Sequence, residues 1–156
     1  APAVKTLDDL SGKTVYVRAS SSYHESLLQL NEHLRSKGKA PVEIDPADEN
    51  LEDEDILEMV NAGLIDYSIA DSSKTAFFKD IFKNIRVYPE LAVRRGANIA
   101  WAVRKNCPNL LAAIDEFVAS HAAGTLFGNV LLKRYLHDNK WVKSATAKPG
   151  AKTDLA

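Results

Sequence analysis

The sequence has one cysteine, Cys107, among its 156 residues, and it has no long apolar run. A single thiol excludes an internal disulfide framework, so the cysteine content leaves the cellular compartment open. Because no apolar stretch approaches about 20 residues, we predict no transmembrane segment in this chain. The formal net charge of −1 disfavours a nucleic acid as a partner.

Motifs of several common enzyme sites are also missing. The chain contains no G-x-G-x-x-G, no G-x-x-x-x-G-K-[ST] and no G-x-S-x-G, so nucleotide binding and hydrolase chemistry lack sequence support. Its four histidines show no spacing typical of metal ligands, and we expect neither a metal nor a cofactor. Cys107 has no identifiable histidine or asparagine partner, which argues against a catalytic thiol. We therefore expect that this chain is not itself an enzyme.

What the chain does have is a repeated alternation of β-prone runs and amphipathic helical patterns. Strands are predicted at residues 15–17, 42–44, 64–70, 85–88 and 99–103. The intervening helical patterns turn apolar faces inward at Leu27, Leu30 and Leu34, at Ile56, Leu57 and Val60, and at Ala76, Phe77, Ile81 and Phe82. Such repeats favour an α/β fold in three layers, α/β/α, with a mostly parallel sheet.

Two further helices are predicted after residue 103, divided at Gly124 and Thr125. Their apolar stripes predict core positions at Leu110, Leu111, Ile114, Phe117 and Val118, and at Leu126, Val130, Leu131 and Tyr135. Residues 144–156 are rich in Ala, Thr, Lys, Pro and Gly, which is typical of a flexible linker. The sequence thus predicts one domain over residues 1–143, followed by a linker toward a downstream domain.

Three loops are predicted at the carboxyl ends of the first three strands, where parallel sheets bind ligands. They comprise residues 20–22, 45–50 and 71–74. The first offers hydroxyls and helix N–H groups suited to an anion, whereas Asp71 offers a carboxylate suited to an ammonium group. Together these loops could hold a zwitterion such as an amino acid.

Helix capping is the alternative explanation for part of this pattern. Ser22 and Glu25 fit a capping box, and Asp71 fits a helix N-cap, without any ligand. Ser20 and Ser21 are not used by that capping box, which makes them the better ligand candidates. Nine acids and no base lie between residues 43 and 58; this run is interpreted as a solvated face, with a docking surface or cation site as the alternative.

Several segments resemble the second lobe of family 3 extracellular solute-binding proteins. Residues 12–18 (GKTVYVR) and 20–23 (SSSY) resemble the opening of that lobe, and residues 62–71 (AGLIDYSIAD) resemble a stretch ending in an amine-binding aspartate. Residues 99–105 (IAWAVRK) resemble the return hinge strand. Residues 124–129 (GTLFGN) are similar to the solute-binding portion of membrane-bound lytic murein transglycosylase F-like proteins, and the resemblance covers roughly residues 8–143.

The resemblance implies a role for each matching residue. Ser21 and Ser22 match hydroxyls that meet a ligand carboxylate, and Asp71 matches the acid that meets an α-amino group. Ser20 departs from the family, because many amino-acid binders have glycine there. The predicted ligand-binding set is Ser20, Ser21, Ser22, Tyr23, Asp71 and Ser72.

The transglycosylase resemblance also implies what lies outside this chain. Those proteins carry a catalytic glutamate in a separate lysozyme-like domain, within a Glu-Ser pair beside a Gly-rich, Met-Gln-containing motif. Glu25 and Ser26 lack that surrounding pattern here. The expectation is a periplasmic, non-catalytic domain that recognises an amino acid or muropeptide-like ligand, with a first lobe and a downstream catalytic domain as its partners. An interaction or spacer module that has lost solute binding is the alternative.

Overall fold

The computed structural model describes residues 3–137. The chain divides into two compact units, Ala1–Gly96 and Ala97–Ala156. The predicted domain end at residue 143 and the predicted linker over residues 144–156 lie outside the described residues.

A β-α-β unit forms the centre of the first compact unit. Strand β1 (Thr14–Arg18) and strand β2 (Glu43–Ala47) pair in parallel, and helix α1 (Ser22–Ser36) connects them. Parallel strands cannot be joined by a tight turn, so the intervening helix is the expected connection. The α/β class predicted from the sequence is confirmed.

The core lies between β1 and α1. Val15 and Val17 alternate along β1 with more exposed residues, and both are almost fully buried. They meet Leu27, Leu30 and Leu34, the apolar face predicted for α1, and the cluster is completed by Val42. A period of two on the strand and of 3.6 on the helix therefore brings the two apolar faces together.

Asn31 is a buried polar residue that fastens α1 to the segment entering β2. Its Nδ2 donates to the carbonyl of Val42 over 2.9 Å, and its Oδ1 accepts from the Val42 N–H over 2.6 Å. One side chain thus satisfies both backbone groups of a buried residue that precedes the sheet.

Helix α2 (Asp53–Ala62) buries Ile56 and Leu57, two of its three predicted core residues, whereas Val60 is half-buried. It ends at Gly63, as predicted, and Gly63 has a φ of 75°. The left-handed conformation lets the Gly63 N–H reach the carbonyls of Met59 and Val60.

Replacing Gly63 with alanine is expected to lower the free energy of unfolding by about 1 kcal/mol, because an L-residue is strained at positive φ. No atom lies within 4 Å of a Cβ added there, so the backbone conformation alone carries the penalty. Urea denaturation measures the change. Gly63→Asn is the matched control, since asparagine tolerates this conformation better; an equal loss in both variants would contradict the explanation.

The predicted third strand, residues 64–70, contributes only a parallel bridge between Ser68 and Tyr16. The Tyr16 N–H donates to the Tyr67 carbonyl over 3.0 Å, and the Ser68 hydroxyl donates to the Tyr16 carbonyl over 2.7 Å. The strands predicted at residues 85–88 and 99–103 do not form, so those predictions are wrong. Ile99 is 84% exposed, and β-prone residues form strands only on a half-buried surface beside a partner strand.

Helix α3 (Ser72–Phe78) is shorter than its sequence pattern predicted. Ala76, which was predicted to face the core, is exposed, whereas Phe77, Ile81 and Phe82 are half-buried. Phe78 lies between Phe77 and Phe82, with ring centroids 5.2 and 5.3 Å away. The local aromatic cluster replaces the regular core-facing stripe that the sequence predicted.

The second compact unit contains helices α4 (Pro108–His121) and α5 (Leu126–Leu132), divided where the sequence predicted. Their apolar stripes were predicted to lie in a core, but most of these side chains are exposed, including Leu110, Phe117 and Val130. Among the described residues of this unit, no other element packs over these apolar stripes and buries them. No single described helix is long and apolar enough to cross a membrane. Two consecutive helices bent by 81°, Pro108–His121 and Leu126–Tyr135, together have the length and apolar composition of a broken span, and by those two criteria only.

Candidate functional site

The loop between β1 and α1 is closed by Ser21. Its hydroxyl donates to the Arg18 carbonyl over 2.7 Å and accepts from the His24 N–H over 3.3 Å, which makes Ser21 the N-cap. Ser22, the predicted cap, is instead the first residue of α1, and its carbonyl accepts a bond from Ser26. The helix therefore begins one residue earlier than expected, with Ser21 as its N-cap, and the predicted capping box of Ser22 and Glu25 does not form. Ser21, rather than Ser22, is used by the cap.

Ser20 is held by an acid from another loop. Its N–H donates to Oε1 of Glu49 over 3.0 Å, and its hydroxyl donates to Oε2 of the same carboxylate. These bonds, first that of the hydroxyl and then that of the N–H, hold the pKa of Glu49 below its ordinary value. Ser20 therefore binds a carboxylate that belongs to the chain itself, and its predicted contact with an external ligand stays a prediction.

The end of β1 meets α2 through Asp53, a buried acid. Its Oδ1 accepts from the Arg18 guanidinium over 2.8 Å, and its Oδ2 lies 3.3 Å from Lys74 Nζ. The Tyr23 hydroxyl lies 3.3 Å from the same Oδ2. One carboxylate thus joins four elements, and the side chain of Asp53 is only 8% exposed.

Tyr23 reports on the charges around it. Burial raises the pKa of its hydroxyl, and the carboxylates of Asp53 and Asp71 raise the pKa further. Two predicted site residues, Tyr23 and Asp71, therefore lie in the same electrostatic environment. Arg18 and Lys74 lie against Asp53 in the same place, so the carboxylates there are paired with cations.

Asp71 is the N-cap of α3, as the sequence predicted. Its Oδ1 accepts from the Ser73 N–H over 2.8 Å and from the Ser73 hydroxyl over 2.7 Å. These bonds, with a smaller effect from the Lys74 charge, lower the pKa of Asp71. Ser72 begins α3 beside it and is exposed. Capping uses one oxygen of Asp71, and its second oxygen remains a possible acceptor.

The capping bonds of Asp71 predict how stability changes with pH. Because its folded pKa lies below the ordinary value of 3.8, the ionised form stabilises the fold above about pH 4, and this contribution is lost as the pH falls through that range. We expect the stability difference between the wild type and Asp71→Asn to shrink from about pH 6 to about pH 3, since asparagine keeps a cap acceptor but does not titrate. Urea denaturation at each pH measures it; a difference independent of pH would contradict it.

Three loops thus converge at the carboxyl ends of β1, β2 and the bridging segment. The structure brings together Ser20, Tyr23 and Asp71 with Arg18 and Asp53, which the sequence reasoning missed, and with Glu49 from the predicted loop over residues 45–50. We call this group the crevice. Asp53 was missed because it lies in the acidic run that was interpreted as a solvated face. The one signal of its burial in the sequence is Arg18, the basic residue that ends β1 and pairs with it.

The described residues outside the crevice form a further depression but no metal-binding group. No group of three or more His, Cys, Asp or Glu side chains among residues 3–137 is arranged to hold a metal ion. A separate open depression of about 500 Å³ contains none of the predicted ligand residues; it is lined by Lys13, Thr14, Tyr16, Asp45, Leu64, Ile65, Asp66 and Tyr67. The crevice therefore remains the candidate site.

Comparison with known proteins finds relatives named as lytic transglycosylases. The chain matches no protein-family model. It is similar to proteins named "Membrane-bound lytic murein transglycosylase F" from Ectopseudomonas mendocina (36% identical over 121 residues), Pseudomonas fluorescens (34% over 114) and Pseudomonas putida (35% over 120). The matches cover 76%, 72% and 75% of this chain but only 23%, 22% and 23% of the relatives.

The chain therefore spans less than a quarter of the length of these curated relatives. This similarity supports the predicted resemblance to transglycosylase F-like proteins. The resemblance to family 3 solute-binding proteins remains a prediction.

Proposed function

We propose that this chain is a non-catalytic ligand-recognition domain of a cell-wall lytic transglycosylase-like protein in the periplasm. It corresponds to one lobe of a solute-binding protein with a three-layer α/β/α arrangement, and it binds an amino acid or a peptidoglycan-derived peptide. The first lobe and a downstream catalytic domain of the parent protein are its partners, and hinge closure against the first lobe completes the site.

The crevice carries this proposal. The donors of Ser20 hold a carboxylate, and the carboxylates of Asp53 and Asp71 lie on the Tyr23 side of the same crevice. A site with anion-binding donors at one end and carboxylates at the other suits a zwitterion. The similarity to transglycosylases named for murein supports a peptidoglycan-derived ligand.

The test is a titration of the ¹⁵N-labelled chain with glycine, D-alanine and a purified muropeptide. We expect amide shifts at residues 20–23 and 71–72 with a Kd in the millimolar range, because one lobe encloses only part of a ligand. Asp71→Asn is expected to weaken glycine binding, whereas Asp115→Asn, an exposed position on α4, is not. Absence of shifts in the crevice at tens of millimolar ligand would refute the proposal.

One observation favours the alternative, an interaction module that does not bind solutes. The polar groups of the crevice already have intramolecular partners: Ser20 binds Glu49, Asp71 binds Ser73, and Lys74 binds Glu54 over 3.1 Å. In this case the exposed acids Glu52 and Asp55 would contact a partner domain, while the buried Asp53 would not. Charge reversal at Glu52 and Asp55 would then weaken association with the catalytic domain of the parent protein, and crevice amides would not respond to amino acids.

A further inference from the structure

The contact between Glu49 and Ser20 has the geometry of ligand binding within the crevice. One backbone N–H and one hydroxyl of the same residue meet the two oxygens of one carboxylate. Charge-assisted bonds of this kind are what a bound amino acid or peptide would form with its own carboxylate. The donors that the proposed function assigns to the ligand are therefore already used.

Glu49 is presented by a compact turn that is separate from the loop of Ser20. The Asp48 carboxylate accepts from both the N–H and the side-chain amide of Asn50, each over 2.9 Å. The Leu51 N–H closes the turn on the Asp48 carbonyl over 3.1 Å. Glu49 itself is exposed, so its side chain can leave Ser20 without opening the core.

We propose that Glu49 is an internal competitor for the carboxylate subsite at Ser20, and that an external carboxylate binds there only after the Glu49 side chain has left. This inference rests on the proposed function and adds its regulation. A carboxylate on the same chain has an effective concentration in the millimolar range or above. The apparent Kd for an external carboxylate therefore equals the intrinsic Kd divided by the fraction of molecules in which Glu49 has left Ser20.

The test measures whether removing Glu49 increases the affinity of the chain for acetate, which is added as sodium acetate. Acetate is titrated into the ¹⁵N-labelled wild type, Glu49→Ala and Glu58→Ala while the Ser20 amide is followed. We expect the acetate Kd of Glu49→Ala to be about tenfold lower than that of the wild type, which corresponds to occupation of about nine-tenths of the subsites by Glu49 in the wild type. Glu58→Ala removes the same charge from an exposed position on α2 and should behave as the wild type.

A double variant, Ser20→Ala with Glu49→Ala, shows whether the gain in acetate affinity comes from the donors of Ser20 or only from the loss of a negative charge. The double variant should lose most of the gain, because the hydroxyl donor is gone. Equal acetate affinities in the wild type and Glu49→Ala, or no response of the Ser20 amide in Glu49→Ala, would overturn the inference.

Glycine distinguishes failure of this inference from failure of the proposed function. If acetate binds Glu49→Ala more tightly but glycine never perturbs residues 71–72 in either protein, the competitor role stands and zwitterion recognition fails. If glycine perturbs both loops with equal affinity in the wild type and Glu49→Ala, zwitterion recognition stands and the competitor role fails.

Discussion

Replacing Asn31 with alanine is expected to lower the free energy of unfolding of the first compact unit by about 2–4 kcal/mol. The variant loses both bonds to Val42 and leaves a buried N–H and a buried carbonyl without partners. An unsatisfied buried backbone group costs about 1–3 kcal/mol, which is more than a surface bond would lose. Urea denaturation followed through amide signals of β1 and α1 measures the change.

Gln29→Ala is the matched control for Asn31→Ala. Gln29 lies on the same helix but is exposed, so its loss should change stability by no more than about 0.5 kcal/mol. A loss below about 1 kcal/mol for Asn31→Ala would mean that water or a shifted backbone satisfies Val42. Asn31 would then not be the residue that fastens α1 to β2.

Replacing Asp53 with alanine is expected to cost about 1–3 kcal/mol and to loosen the crevice. Arg18 and Lys74 would lose the carboxylate that faces both of them at 2.8 and 3.3 Å. Breaking a fully buried ion pair costs more, but these two side chains remain 22% and 34% exposed, and water partly compensates them. Urea denaturation again measures the loss.

Tyr23 supplies a second measurement for Asp53. Removing the Asp53 carboxylate should lower the pKa of the Tyr23 hydroxyl toward its ordinary value, while burial continues to raise it. A pH titration of the tyrosine ring signals would detect this change. Glu58→Ala should alter neither stability nor Tyr23; a Tyr23 pKa that did not move in Asp53→Ala would contradict the position assigned to Asp53.

Local features of the fold were predictable from the sequence, because each depends on a few neighbouring residues. Leu27, Leu30 and Leu34 form the buried face of α1, Gly63 ends α2 at positive φ, and Asp71 caps α3. Helical period and capping chemistry are sufficient for such predictions. The strands at residues 85–88 and 99–103 failed because a strand depends on partners that its own residues do not specify.

The candidate site was predictable only in part for the same reason. The positions of the loops follow from the order of strands and helices, and Ser20 does bind a carboxylate. Its partner Glu49, however, is 29 residues away, and Arg18 meets Asp53 across 35 residues. A single sequence gives the residue types but not these pairings, so the acidic run was interpreted as solvated although Asp53 is buried.

The single bridge between Ser68 and Tyr16 has a consequence for hydrogen exchange. The β1–β2 ladder is protected by α1 and by the buried valines, so its amides should exchange with solvent near the rate of global unfolding. The segment leading to Asp71 joins the sheet at one bridge in the part of the chain that the structure describes, so it should exchange through local opening, orders of magnitude faster. Asp71, the acid that we propose binds a ligand amine, can therefore move while the protein stays folded.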